Sequence, residues 1–94
     1  MAAPLPDVIL YAREGCHLCD DARAMLQSVL EDRAARGARL GILRERDITT
    51  DPAWERAYSA AIPVVEISGR RLELATSAAR LRRFVNETLD GALA

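Results

Sequence analysis

Short unbroken apolar runs alternate along this chain with longer stretches in which apolar residues return every three or four positions. Residues 7–11 form the first run, β-favouring and followed by turn-prone Ala12 to Gly15, which predicts a buried strand. From Cys16 the period changes. Ala22, Met25, Leu26, Val29 and Leu30 make one stripe while Asp20, Asp21, Gln27, Glu31 and Asp32 face elsewhere, predicting an amphipathic helix with Gly37 as its C-cap.

Residues 40–47 predict a second strand, with Leu40, Ile42 and Arg44 on one side and Leu43 on the other. Asp51-Pro52 opens a short helix, because Asp accepts hydrogen bonds from first-turn N–H groups and Pro fits the first helical position. Trp54, Ala57 and Tyr58 line its inner side. Residues 62–67 predict a third strand, and Ser68-Gly69-Arg70 a hairpin turn into a fourth over residues 71–74. Thr76 or Ser77 caps the last helix, whose stripe is Ala78, Leu81, Val85 and Leu89 with Phe84 beside it. The order β-α-β-α-β-β-α predicts an α/β fold. Its first two strands form a right-handed parallel unit, its later strands pair antiparallel in the same sheet, and helices cover both faces.

Ninety-four residues make one domain, 1–94, able to bury about 60 to 65% of its unfolded surface. Half the residues are hydrophobic, 29% are charged and the net charge is −1, so neither nucleic acid nor an anionic membrane is implied as a partner. All thirteen basic residues are arginine, a feature of composition rather than a phosphate-binding device. No apolar stretch has a membrane-spanning length, and Met1 to Pro6 lacks the basic and apolar regions of a secretory signal. A cytoplasmic protein is expected, in a compartment where a close cysteine pair is more often catalytic or metal-binding than structural.

Both cysteines lie in Cys16-His17-Leu18-Cys19, where the first strand hands over to the first helix. A helix N-terminus presents unpaired N–H groups and the positive end of the dipole, which favour thiolate over thiol. A free thiol with a pKa near 8.5 is about 3% thiolate at pH 7, and one lowered to about 7 is half thiolate. Arg13, the dipole and a protonated His17 push that way; Asp20 and Asp21 push back. Three readings of the pair stand side by side. Dithiol–disulfide redox chemistry is one. A structural disulfide is another, although it closes a tiny loop and stabilises less than a long-range bridge. Metal is the third, but zinc needs about four ligands and no other Cys or His exists beyond His17, so it would require a site or iron–sulfur cluster shared between two chains.

The CxxC at this junction, together with Ile62-Pro63-Val64-Val65 downstream, resembles the thioredoxin fold, and within it the glutaredoxin-like proteins. The resemblance runs from Asp7 to about Leu89. It implies a thioredoxin-like four-stranded mixed sheet and a thiol–disulfide oxidoreductase, with Cys16 as nucleophile and Cys19 as resolving thiol. It also implies a cis-proline at Pro63 whose preceding residue, Ile62, hydrogen-bonds substrate, and a basic residue at Arg13 that meets a glutathione carboxylate. His17 and Leu18 stand where the family has Pro-Tyr or a related pair. Glu73-Leu74-Ala75-Thr76-Ser77 replaces two glycines and an acid that grip glutathione, leaving Thr76 and Ser77 to offer hydroxyls and N–H groups.

The implied partners are a disulfide-containing protein or small molecule, with glutathione or a reductase as electron donor and no resident cofactor. Glutathione is expected to bind weakly. The alternative on the same fold is a non-catalytic binding module or iron–sulfur carrier. Simpler assignments stand beside several of these: His17 as an exposed helix-start residue, Arg13 as a loop charge partnered by Glu14, Pro63 starting an edge strand in trans, Trp54 and Tyr58 as core, and Arg80, Arg82 and Arg83 as a solvated helix face.

Overall fold

The first apolar run becomes strand β1 (Asp7–Ala12), and the periodic stretch after Cys16 becomes helix α1 (His17–Ala35). Next come β2 (Ile42–Asp47), a 3-10 turn (Ile48–Thr50), α2 (Pro52–Tyr58), the hairpin β3 (Val64–Ile67) and β4 (Arg70–Leu72), and α3 (Ala78–Gly91). This computed structural model describes residues 5–91; the expectation of no signal at Met1 to Pro6 lies, for its first four positions, outside the described residues. The strand order is β2-β1-β3-β4, with β1 parallel to β2 and antiparallel to β3, and β3 antiparallel to β4. The expected mixed α/β sheet is therefore present. Among the described residues, no helix is long and apolar enough to cross a membrane.

Successive residues of β1 point to opposite faces, and both faces are covered. Val8, Leu10 and Ala12 pack with Val65 and Ile67 under α1 and α3, against Ala22, Leu26, Val29, Leu81, Val85 and Leu89. Ile9, Tyr11 and Val64 pack under the 3-10 turn and α2, against Ile48, Tyr58 and Trp54. Tyr11 stacks on Tyr58 at 4.3 Å between ring centroids and meets Trp54 edge-on at 5.9 Å. The Arg46 guanidinium donates to the Tyr11 hydroxyl at 3.0 Å and lies 5.1 Å from the Trp54 ring centre. Trp54 and Tyr58 thus serve the core.

Several boundaries differ from the sequence reading. β2 begins at Ile42 rather than residue 40, because the chain first crosses β1 at Gly41. A Cβ there would lie 2.5 Å from Val8 Cγ2, and this close approach lets the Ile42 N–H reach the Pro6 carbonyl at 2.9 Å. Ile42 itself stays exposed on an edge strand. β3 begins at Val64, since the Ile62 N–H turns back to the Tyr58 carbonyl at 3.0 Å, and β4 covers Arg70–Leu72 rather than residues 71–74. Ala57 and Ala78, placed on inner stripes, are exposed. Gly37 (φ 69°) follows the α1 cap in a Schellman motif, with its N–H on the Ala34 carbonyl and that of Ala38 on the Arg33 carbonyl.

The periodicity gave no sign of Arg33, which is the largest fully buried side chain. It sits one turn beyond Val29 on the inner stripe of α1. Its Nε donates to the Arg39 carbonyl at 2.7 Å, Nη1 to Asn86 Oδ1 at 2.8 Å, and Nη2 to Asp90 Oδ1 at 2.6 Å. One guanidinium thereby ties the end of α1 to the following loop and to the last two turns of α3, and every nitrogen has an acceptor. The bond to Arg33 holds the Asp90 carboxyl below its ordinary range.

Two predictions follow from these positions. Arg33→Ala should lower unfolding stability by about 2 to 3 kcal/mol in urea denaturation, from lost packing and unpaired acceptors. Because the folded Asp90 carboxyl titrates below its unfolded value, the pairing contributes above about pH 4 and is lost as pH falls through the folded value, so the gap between wild type and Arg33→Ala should narrow in acid. Leu74 occupies left-handed backbone (φ 48°) with an exposed side chain. Leu74→Val should therefore cost at least about 1 kcal/mol, and Leu74→Gly should leave stability within about 0.5 kcal/mol of wild type.

Candidate active site

The loop Arg13 to Gly15 carries the chain from the end of β1 to the start of α1, turning at Gly15 (φ 76°). Cys16 is the N-cap of α1, and its Sγ accepts the Cys19 N–H at 3.1 Å. The two cysteines are joined in a disulfide, 5.2 Å apart at Cα. Their surroundings differ. Cys19 is completely buried among Leu26, Ala75 and the β1 side chains, whereas Cys16 is half-buried at the edge of the same cluster. One sulfur faces out and one faces in. Both stand at the positive end of a 19-residue helix, where N–H groups stabilise negative charge.

His17 and Leu18 project outward. The His17 side chain is 88% exposed, 3.6 Å from Asp21 one turn on, and Leu18 is 49% exposed. On the other flank, the Ile62–Pro63 peptide bond is cis. Pro63 is buried and Ile62 is half-buried, touching both the cluster that holds Cys19 and the aromatic cluster. The Ile62 N–H is already given to Tyr58, so its carbonyl is the backbone group left to a visitor; among the described residues no donor reaches it.

Residues 74–77 lie against this loop. The Leu74 N–H donates to the Ala61 carbonyl at 2.9 Å, that of Ala75 to the Pro63 carbonyl at 2.8 Å, and that of Thr76 to the Leu74 carbonyl at 2.7 Å. Ser77, not Thr76, caps α3, its Oγ accepting from the Arg80 N–H at 3.3 Å. These internal hydrogen bonds engage the Thr76 N–H that the sequence offers to a ligand, together with those of Leu74 and Ala75, while the Ser77 N–H is not among them.

Beside the disulfide lies a cleft of about 510 Å3, walled by Arg13, Glu14 and Gly15, by Asp20 and Arg23 of α1, and by Glu45 and Asp47 of β2. Arg13 is exposed and, among the described residues, forms no ion pair with Glu14. Arg23 is held by Glu45, with Nε 3.0 Å from both carboxylate oxygens, and by Asp20 at 2.9 Å. Asp47 accepts from the Thr49 hydroxyl and N–H, which, with the nearby Arg13, keep its carboxyl below the ordinary range. Sequence reasoning found Arg13 but missed Arg23, Glu45 and Asp47, because only the β1–β2 register, with Ala12 opposite Asp47, brings them together.

Comparison with known proteins agrees with this geometry. The family model described as "Glutaredoxin-like domain (DUF836)" matches residues 7–90. No curated protein matches. The crystal structure of Northeast Structural Genomics target protein XcR50 from X. campestris is similar at 34% identity and a TM-score of 0.67, over 84% of this chain and 95% of that one. Its solution structure is similar at 35% identity and a TM-score of 0.63, over 84% and 91%. A CxxC pair at the N-cap of α1, in a thioredoxin-like sheet matched across nearly its whole length, places this chain in the glutaredoxin-like (DUF836) family.

Proposed function

We propose that the protein is a thiol–disulfide oxidoreductase. The observation that carries this reading is the asymmetry of the pair: Cys16 is accessible at a helix N-cap and Cys19 is sealed behind it. In the reduced protein the Cys16 thiolate attacks a substrate disulfide. A bond forms between Cys16 Sγ and one substrate sulfur, the substrate S–S bond breaks, and the other substrate sulfur leaves as a thiolate that takes up a proton. Cys19, deprotonated in turn, then attacks Cys16 Sγ and releases the second substrate thiol. The substrate gains two electrons and the protein is left with the Cys16–Cys19 disulfide. Proximity makes this second step fast without separate activation of Cys19.

The cis-proline loop supports the same reading, because the free Ile62 carbonyl offers an acceptor to an extended substrate backbone while Leu18 and Leu74 expose apolar surface. A carrier that shares a cluster between chains would have to bring both sulfurs outward, and Cys19 is fully buried. To act as a disulfide reductant the pair needs a supply of reducing equivalents, which a cytoplasmic location would provide. Reducing equivalents come from glutathione or from a reductase. Glutathione fits poorly in a formed site, since the N–H groups of Leu74, Ala75 and Thr76 are engaged and Leu74 carries a side chain where its backbone would approach.

Four measurements test this. Reduced wild-type protein should reduce a model disulfide such as that of insulin, and Cys16→Ser should lose the activity by at least about 100-fold. Cys19→Ser should instead trap a mixed disulfide visible by mass spectrometry; loss of turnover without any trapped species would count against Cys16 as attacker. Iodoacetamide should modify Cys16 of the reduced protein before Cys19, by at least about tenfold in rate. Titration with reduced glutathione should give a Kd no tighter than about 1 mM, and micromolar binding would contradict the engaged-donor argument.

A further inference from the structure

Among the described residues four large apolar side chains are exposed, and two of them, Leu18 and Leu74, border the disulfide. Leu18 stands between the cysteines in the first turn of α1. Leu74 belongs to the other flank. Its N–H holds the Ala61 carbonyl at 2.9 Å and the next N–H, from Ala75, holds the Pro63 carbonyl at 2.8 Å, so residues 74–75 bracket the cis Ile62–Pro63 bond. Ala75 is buried in the cluster that contains Cys19, against which Cys16 and Ile62 also pack. Neither leucine belongs to a core cluster. Leu74 moreover takes left-handed backbone (φ 48°), which a side chain makes costly, and leaves half of its surface in water. Stability of the folded chain therefore accounts for neither side chain.

The chemistry brings a substrate to this surface. Cys19 is sealed, so a bond to an incoming sulfur forms at the exposed side of Cys16 Sγ, and the chain that carries that sulfur lies on what surrounds Cys16. The surroundings are apolar at Leu18, Ile62 and Leu74, with the Ile62 carbonyl as a free backbone acceptor within them. An extended polypeptide held there sets the residues next to its cysteine on these side chains, where burial of apolar area stabilises the encounter. Resting on the oxidoreductase reading, we infer that Leu18 and Leu74 determine specificity, selecting polypeptide disulfides whose attacked cysteine has an aliphatic or aromatic neighbour. Glutathione disulfide, whose cysteine lies between a γ-glutamyl group and glycine, brings no apolar side chain to either leucine.

The test uses two symmetric disulfides, each the dimer of a short peptide with one cysteine, flanked on both sides by Leu in one and by Gln in the other. Each is mixed with the pre-reduced full chain, whose two thiols become the Cys16–Cys19 disulfide as two peptide thiols are released. The rate is followed by acid quench and mass spectrometry and divided by the rate of the same peptide with dithiothreitol, which removes intrinsic reactivity. The Leu peptide should react about tenfold faster than the Gln peptide, as expected for partial burial of its leucine side chains. Leu18→Gln and Leu74→Asn, the latter at ease in left-handed backbone, should each cut this ratio by about threefold and together bring it within about twofold of unity. Leu5→Gln, at a comparably exposed leucine before β1, should leave the ratio unchanged. A wild-type ratio near unity, a ratio that both site variants leave intact, or one that falls as far with Leu5→Gln overturns the selection while leaving the oxidoreductase reading in place. A pre-reduced chain that neither peptide oxidises overturns that reading, and this inference with it.

Discussion

β1 is hydrogen-bonded along both edges and covered on both faces, so its end is held on every side. Three features of the site hang from that end. The chain itself continues through residues 13–15 to Cys16. The parallel register sets Ala12 opposite Asp47, which brings β2 to the charged cleft. The antiparallel register sets Tyr11 opposite Val64, which holds the cis-proline loop on the other flank. A shift of β1 by one residue would exchange its two apolar faces and separate all three.

The helix that begins at Cys16 needs a partner for its first N–H groups, and the sulfur supplies one. Serine, threonine or aspartate would cap the helix with a stronger acceptor. Use of a cysteine joins local stability to the proposed chemistry: the sulfur that caps the helix is the one proposed to react. Cys19, one turn on, falls on the inner stripe with Ala22 and Leu26, so helical geometry alone decides that the second sulfur is buried. At the far end of α1, Arg33 fixes the same helix to α3, and α1 is thereby anchored at both ends.

The flank formed by residues 74–77 shows how a fold can keep the outline of a ligand site while spending its donors internally. Leu74 adopts a backbone conformation that glycine takes more easily, and its N–H and that of Ala75 brace the cis-proline loop rather than face solvent. Bracing of that loop and donation to a ligand compete for the same groups. Here the loop holds them, and the apolar side chains of Leu18 and Leu74 are what the surface presents.

Strand and helix identities were legible in the sequence because apolar residues two or three to four apart report directly which face of an element is buried, and the CxxC at the first junction marked where the candidate site lies. Element ends were less legible: Ala57 and Ala78 match the helical period yet are exposed, since a stripe alone does not report what packs against each turn. Tertiary structure alone decided the burial of Arg33, since a charge is tolerated inside only when acceptors from distant segments, here Arg39, Asn86 and Asp90, converge on it. It likewise assembled the charged cleft from Arg13, Asp20, Arg23, Glu45 and Asp47. Local pattern thus determined which residues form helix, strand and thiol pair, because those depend on near neighbours; which charges line the cleft together depended on strand register, a contact between residues more than thirty positions apart.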